Sequence, residues 1–299
     1  MKRSLLRMCG LLGGVVLGAS LAGCLPHADV FPDATPAMRT LTLTFDGLEP
    51  LGEGFVYEGW LIVDGNPVST GRFHIVEGGL ADPAEFDLPA DQVDAATVFV
   101  LTIEPAEGDD PAPADTHVLA GDFASGAALT VGHAAALGDD FATAAGTYIL
   151  ETPSTSDVAE DYVQGIWWLD PTAGPGASLV LPELPAGWAY EGWVVGDDGP
   201  VSTGRFTSPE GADSDDAGPT SGADAGPPFP GQDFIDPAVS IAGYTAVISV
   251  EPDPDDSPGP FALKPLVDMD IQDVGAGVNQ DMTNNAETFP SGTVTVLEN

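Results

Sequence analysis

Carboxylates dominate the chemistry that this sequence could perform. Asp and Glu number 47 against 7 Lys and Arg, a formal charge of −40. Two loops are oxygen-rich and flexible in the way that calcium requires: Asp109 and Asp110 in one, and Asp253, Asp255 and Asp256 in the other. A third run, Asp268, Asp270 and Asp273, departs from the EF-hand pattern, with Gly275 late and no terminal Glu. The loops are calcium candidates; the competing reading is a surface kept soluble in salt, where counterions screen self-repulsion. Carboxylate pairs are so frequent here that a glycosidase-like pair arises by accident. The four histidines, His27, His74, His117 and His133, lack metal-ligand spacing. Ser69 and Ser202 have no neighbouring histidine, and neither a Gly-x-Ser-x-Gly elbow nor a phosphate loop occurs. The expectation is a non-catalytic protein, with a hydrolase as the remote alternative. So acidic a surface repels phosphate backbones, so no nucleic-acid partner is expected.

The other reactive group is a thiol. Lys2, Arg3 and Arg7 precede an apolar run from Leu11 to Leu21, which ends in Leu21-Ala22-Gly23-Cys24. The run has signal-peptide length and is too short to span a bilayer. Its end resembles the lipobox of bacterial lipoproteins, which implies cleavage after residue 23 and acylation of Cys24. More than one acyl chain would then hold the protein on a membrane. Cys9 lies in the leader, so the mature chain has one cysteine and no intrachain disulfide. Leu25 follows where inner-membrane retention calls for Asp, which points to the outer membrane in a Gram-negative host. An ordinary signal peptide and an uncleaved anchor are the alternatives.

The elements that position the remaining candidates come from an internal repeat. Tyr57-Glu58-Gly59-Trp60 recurs as Tyr190-Glu191-Gly192-Trp193, and Pro67–Phe73 recurs residue for residue as Pro200–Phe206. Ile103-Glu104-Pro105 answers Val250-Glu251-Pro252; Phe86–Ala90 answers Phe234–Ala238; and Phe123–Gly126 answers Phe289–Gly292. Short Val/Thr/Ile/Leu runs punctuated by Gly, Pro and Asp predict an all-β fold of two tandem, sandwich-like (Ig-like) modules. The expected order is a leader over 1–23, a tether over 24–38, module 1 over 39–133, a linker over 134–145, and module 2 over 146–299. The second copy carries an Asp/Gly/Ala/Ser/Pro insertion at about 208–230, expected to be a disordered acidic surface loop. Within each hairpin, a three-residue loop at Asp64-Gly65-Asn66 would set Tyr57 opposite Phe73, Glu58 opposite Arg72 and Gly59 opposite Gly71. Arg72 and Arg205 then read as structural partners of Glu58 and Glu191, with ligand binding as the alternative. Trp60 and Trp193 are expected between two sheets, beside the slot left by the glycines, with an exposed binding face as the alternative. The modules are expected to have separate cores.

These strings resemble the C-terminal, extracytoplasmic domain of anti-sigma-K factors, in which Tyr-x-x-Trp, a turn, Pro-Val-x-x-Gly-x-Phe and a later Ile-Glu-Pro follow in order. The resemblance implies a β-sandwich-like module outside the membrane. The family couples that module to a membrane helix and a sigma-binding segment, neither of which this sequence carries. The expected function is therefore that of a membrane-anchored binding or structural protein with an envelope partner, and the alternative is an accessory sensor in sigma-factor or envelope-stress signalling.

Overall fold

The structure is a computed structural model that describes residues 36–156 and 161–297. Cys24, His27 and the whole leader lie outside the described residues. The fold is almost entirely antiparallel β, in two sandwich-like regions.

The first region contains β1 (Met38–Asp46), β2 (Phe55–Val63), β3 (Asn66–Val76), β4 (Leu80–Asp82), β5 (Glu85–Pro89), β6 (Ala96–Pro105), β7 (His117–Asp122) and β8 (Gly126–Leu129). One short helix, Ala90–Ala95, joins β5 to β6. The second region contains β9 (Thr147–Tyr148), β10 (Gly165–Trp167), β11 (Leu169–Asp170), β12 (Gly176–Ala177), β13 (Trp188–Gly196), β14 (Gly199–Phe206), β15 (Gly231–Asp233), β16 (Thr245–Pro252), β17 (Leu266–Asp268), β18 (Gln280–Asp281) and β19 (Thr283–Asn284). A last strand, β20 (Ser291–Leu297), ends the described chain.

Each region has a five-stranded sheet, in the orders β4-β3-β2-β6-β7 and β14-β13-β16-β17-β19. The central strands β2 and β13 are buried over most of their length, as strands flanked on both edges should be. The facing layers differ. In the first region it is a four-stranded sheet, β5-β1-β20-β8; in the second it is built from the short pairs β10–β15, β11–β12 and β9–β18.

The C-terminal strand crosses the expected module boundary. β20 pairs with β1 from Thr40↔Leu297 to Asp46↔Ser291 and with β8 on its other edge, and so completes the sheet of the first region. Val294 is buried there. Buried residues of the two regions form one continuous cluster, from Leu41 and Tyr57 to Tyr190 and Leu266, so the expected separation of cores is corrected to a shared one. Asn284 Nδ2 donates to the carbonyls of Phe141 and Ala144, each at 2.8 Å, which ties the inter-repeat segment to the chain just before β20.

The insertion over 208–230 is packed, not loose. Ala217 is buried against Trp167 and Ile149, and Ser214 N–H donates to Arg205 O at 2.9 Å. Gly231 N–H donates to Asp213 Oδ2 at 2.8 Å. Composition alone predicts disorder because so few apolar side chains are available. Here Ala217, Phe229, the small residues around Gly226 and a set of backbone hydrogen bonds cover a tryptophan that the scaffold supplies.

Candidate functional site: a polar network built twice

The expected register at the base of the hairpin is present: Tyr57↔Phe73, Glu58↔Arg72 and Gly59↔Gly71. The route differs from the expected one. The turn has two residues, Asp64 and Gly65, both at positive φ (50° and 77°), the geometry that suits the twist of a hairpin. A bulge between Gly59 and Trp60 takes up the extra residue, so that Trp60 faces Ser69. The second hairpin repeats this arrangement: Tyr190↔Phe206, Glu191↔Arg205, a bulge, then Trp193↔Ser202. The anchoring tyrosines repeat as well. Tyr57 Oη donates to Glu49 O and Tyr190 Oη to Pro182 O, each eight residues upstream, at 3.0 and 2.6 Å.

Side chains alternate across a strand. Tyr57 and Leu61 point into the core, so Glu58 and Trp60 lie on the opposite, outer face. The tryptophans are therefore buried, but not between the sheets as expected. Trp60 packs with Val100, Ala120 and Ala136, and Trp193 with Val247 and Val267, in small clusters apart from the main core. Each is 3% exposed, so neither presents an aromatic binding face. The slot above the paired glycines is filled by Thr70 and Phe99 in the first copy and by Thr203 and Trp168 in the second. A Cβ on Gly59 would stand 2.7 Å from the Phe99 ring, and one on Gly192 would stand 2.6 Å from Trp168 Nε1.

The outer face carries the same network twice. Trp60 Nε1 donates to Thr102 Oγ1 at 2.9 Å, Thr102 donates to Glu104, and Ala114 N–H donates to Glu104 Oε1 at 2.9 Å. In the second copy Trp193 Nε1 donates to Ser249 Oγ at 2.8 Å, Ser249 donates to Glu251, and Phe261 N–H donates to Glu251 Oε1 at 2.9 Å. Beside it, Ser69 and Arg72 donate to Glu58, and Ser202 donates to Glu191. Arg72 Nε lies 2.8 Å from Glu58 Oε2, whereas Arg205 Nε lies 3.7 Å from Glu191 Oε2 and its Nη2 donates to Pro252 O at 2.8 Å.

Burial raises the Glu104 and Glu191 carboxyls above the ordinary range and pushes Glu251 up to about 7, with hydrogen bonds from Ser249 and Phe261 pulling the other way. Glu251 Oε2 is buried without a partner. A proton held by the folded state relieves the cost of a buried charge in such a place. The hydrogen bond that Arg72 donates to Glu58 raises the guanidinium further above its ordinary value.

The calcium candidates are not gathered. Asp109 pairs with Arg72, Asp110 accepts from Ala112 N–H, Asp255 from Ser257 N–H and Asp256 from Gly54 N–H; Asp253 lies 3.8 Å from Arg205. Among the described residues no three His, Cys, Asp or Glu side chains form a group that could hold a metal ion. The sequence reading named Trp60, Trp193, Arg72 and Arg205 but missed Thr102, Glu104, Ser249 and Glu251. The signal was available: Thr102 and Glu104 share the parity that leaves Leu101 and Ile103 for the core, as Ser249 and Glu251 do beside Ile248 and Val250.

Compared with known families, residues 33–118 match the family described as "Anti-sigma-K factor rskA, C-terminal". No match is found among curated proteins or among solved structures. The matched stretch holds the first hairpin, Thr102 and Glu104. C-terminal domains of that family are extracytoplasmic, and among the described residues no helix is long and apolar enough to cross a membrane. Over residues 33–118 the chain is therefore similar to an extracytoplasmic module related to anti-sigma factors.

Proposed function

We propose that this is a non-catalytic, lipid-anchored protein that works outside the cytoplasm, in which two anti-sigma-K-factor-like modules form one binding or structural body. The observation that supports it is the duplicated network. Trp–Thr–Glu on one sheet and Trp–Ser–Glu on the other, each beside a Glu–Ser–Arg cluster in the same bulged register, support reading the second copy as the same type of module. Apart from Glu251 Oε2, the network satisfies itself: the indoles donate to Thr102 and Ser249, and the carboxylates accept from hydroxyls, from Arg72 and from backbone N–H groups, which is how a scaffold uses polar residues. The anchor rests on the residue order Leu21-Ala22-Gly23-Cys24, with outer-membrane sorting inferred from Leu25. Cys24→Ser should release the protein into the soluble fraction, because the acyl chains supply nearly all the membrane affinity. A variant that still pelleted with membranes after a high-salt wash would refute the anchor.

The similarity over residues 33–118 favours a second reading, an accessory sensor in an envelope signalling route. Crosslinking on intact cells separates the two: a membrane-bound regulator among the captured proteins supports the sensor, and its absence supports the binding or structural role.

A further inference from the structure

The two repeats differ in the layer that faces the main sheet. In the first, β1 has a strand on each edge: Leu41 faces Phe86 of β5 on one side and Val296 of β20 on the other. β5 also closes over the hairpin, where a Cβ on Gly71 would stand 2.6 Å from the Phe86 ring. In the second, the chain leading to Tyr190 pairs with β11 at Gly176–Ala177, and beyond that, among the described residues, Leu179–Pro182 pairs only through Val180. Val180 exchanges both backbone hydrogen bonds with Ala145, at 2.7 and 3.1 Å. The counterpart of β5, Phe234–Ala238, has been carried elsewhere, with Phe234 N–H donating to Gln164 O. Asp213 and Asp215 of the insertion occupy the place of Phe86, over Gly204.

The other edge of this segment is open. In an extended chain the groups of Leu179 and Leu181 point away from the side that Val180 uses. Among the described residues, neither the N–H nor the C=O of Leu179 or Leu181 has a hydrogen-bond partner. A groove of about 710 Å³ is lined by Leu179–Leu184, by Thr207–Glu210 and by Trp188. Val180 is 62% exposed, and the Trp188 indole N–H, though buried, has no partner.

We infer that this groove accepts an extended, basic segment of another protein as an added β-strand along Leu179–Leu181. The free main-chain groups supply the ladder, as in other strand-addition complexes, and exposed Val180, beside half-buried Leu181 and Pro182, packs against the incoming side chains. Charge selects the occupant. Glu183 and Glu210 line the groove and are both exposed, and a chain with 47 acidic and 7 basic residues repels a second copy of itself. The inference deepens the binding role proposed above. Its assay reads main-chain protection, not membrane fractionation, so its failure leaves the anchor test standing.

The test uses a ten-residue peptide of alternating valine and arginine, with a control of the same charge in which every valine is proline. Hydrogen exchange on the full chain should show the Leu179 and Leu181 amides slowed at least tenfold by the first peptide and unaffected by the second. Glu183→Lys with Glu210→Lys, both exposed, should weaken binding at least tenfold, and Leu181→Pro should abolish it by removing a donor that the fold leaves unused. If Leu181→Pro does not fold, methylating alternate backbone nitrogens of the peptide should abolish binding to the unaltered protein. Equal binding of the proline peptide, protection confined to other strands, or protection that rises with protein concentration alone would each overturn the inference.

Discussion

Removing the C-terminal strand tests whether the repeats are separable. A chain ending at Pro290 loses seven register pairs with β1 and four with β8. The ladder hydrogen bonds contribute about 0.5–1.5 kcal/mol each, and ordering the strand costs about 1–2 kcal/mol per residue, so these two contributions largely cancel. What remains is apolar burial. Val294 is 1% exposed, and its loss costs about 1.5–3 kcal/mol. Leu41, Leu43 and Leu129, all buried in the same sheet, lose cover as well. The sum is about 3–5 kcal/mol, a large part of a typical folding free energy and a fall in Tm on the order of 10 °C. The destabilised part should be the first repeat, some 250 residues away in sequence. Hydrogen exchange at Leu41–Leu43 and Tyr57–Val63, with calorimetry, reads this directly. Unchanged protection at Tyr57–Val63 in the truncated chain would refute the shared core and restore two independent modules.

Three further outcomes follow from the same structure. Trp60→Ala and Trp193→Ala should each cost about 3–5 kcal/mol in chemical denaturation, as for other buried aromatics; a cost below about 1 kcal/mol would show that the outer clusters are not cores. Deleting Gly211–Gly226 should destabilise by about 2–3 kcal/mol, because Trp167, fully buried, loses the cover of Ala217, and an unchanged melting curve would return the insertion to a loose loop. For Glu251, the folded carboxyl holds its proton to about pH 7 while the unfolded one releases it near 4.5, so the unfolded state binds fewer protons in between. The stabilisation is complete below about pH 4.5 and is lost as pH rises through 7, by roughly 3 kcal/mol. Glu251→Gln should flatten that decline in Tm between pH 5 and 8, and an unaltered slope would remove Glu251 as its source.

The residues of one hairpin were enough to determine the pairing at its base, from Tyr57 to Gly59, but not the two-residue turn and the bulge beyond it. Glu58 and Arg72 are fourteen positions apart, the turn between them is short and carries its own Asp-Gly signal, and the same string appears again at Glu191 and Arg205. The outward face of Trp60 follows from the same spacing, two positions after Glu58 in a strand, although the expected place lies between the sheets. What covers Trp60 was not legible: Ala135 and Ala136 carry no mark that brings them to that face. Only tertiary structure decided where Ser291–Leu297 pairs. Strand edges offer the same N–H and C=O groups everywhere, so an alternating Thr/Val segment reads equally well beside its own repeat or the other one. The insertion followed the same logic. Its composition cannot form a core, but it can cover one, and the tryptophan that holds it lies some fifty residues away at Trp167.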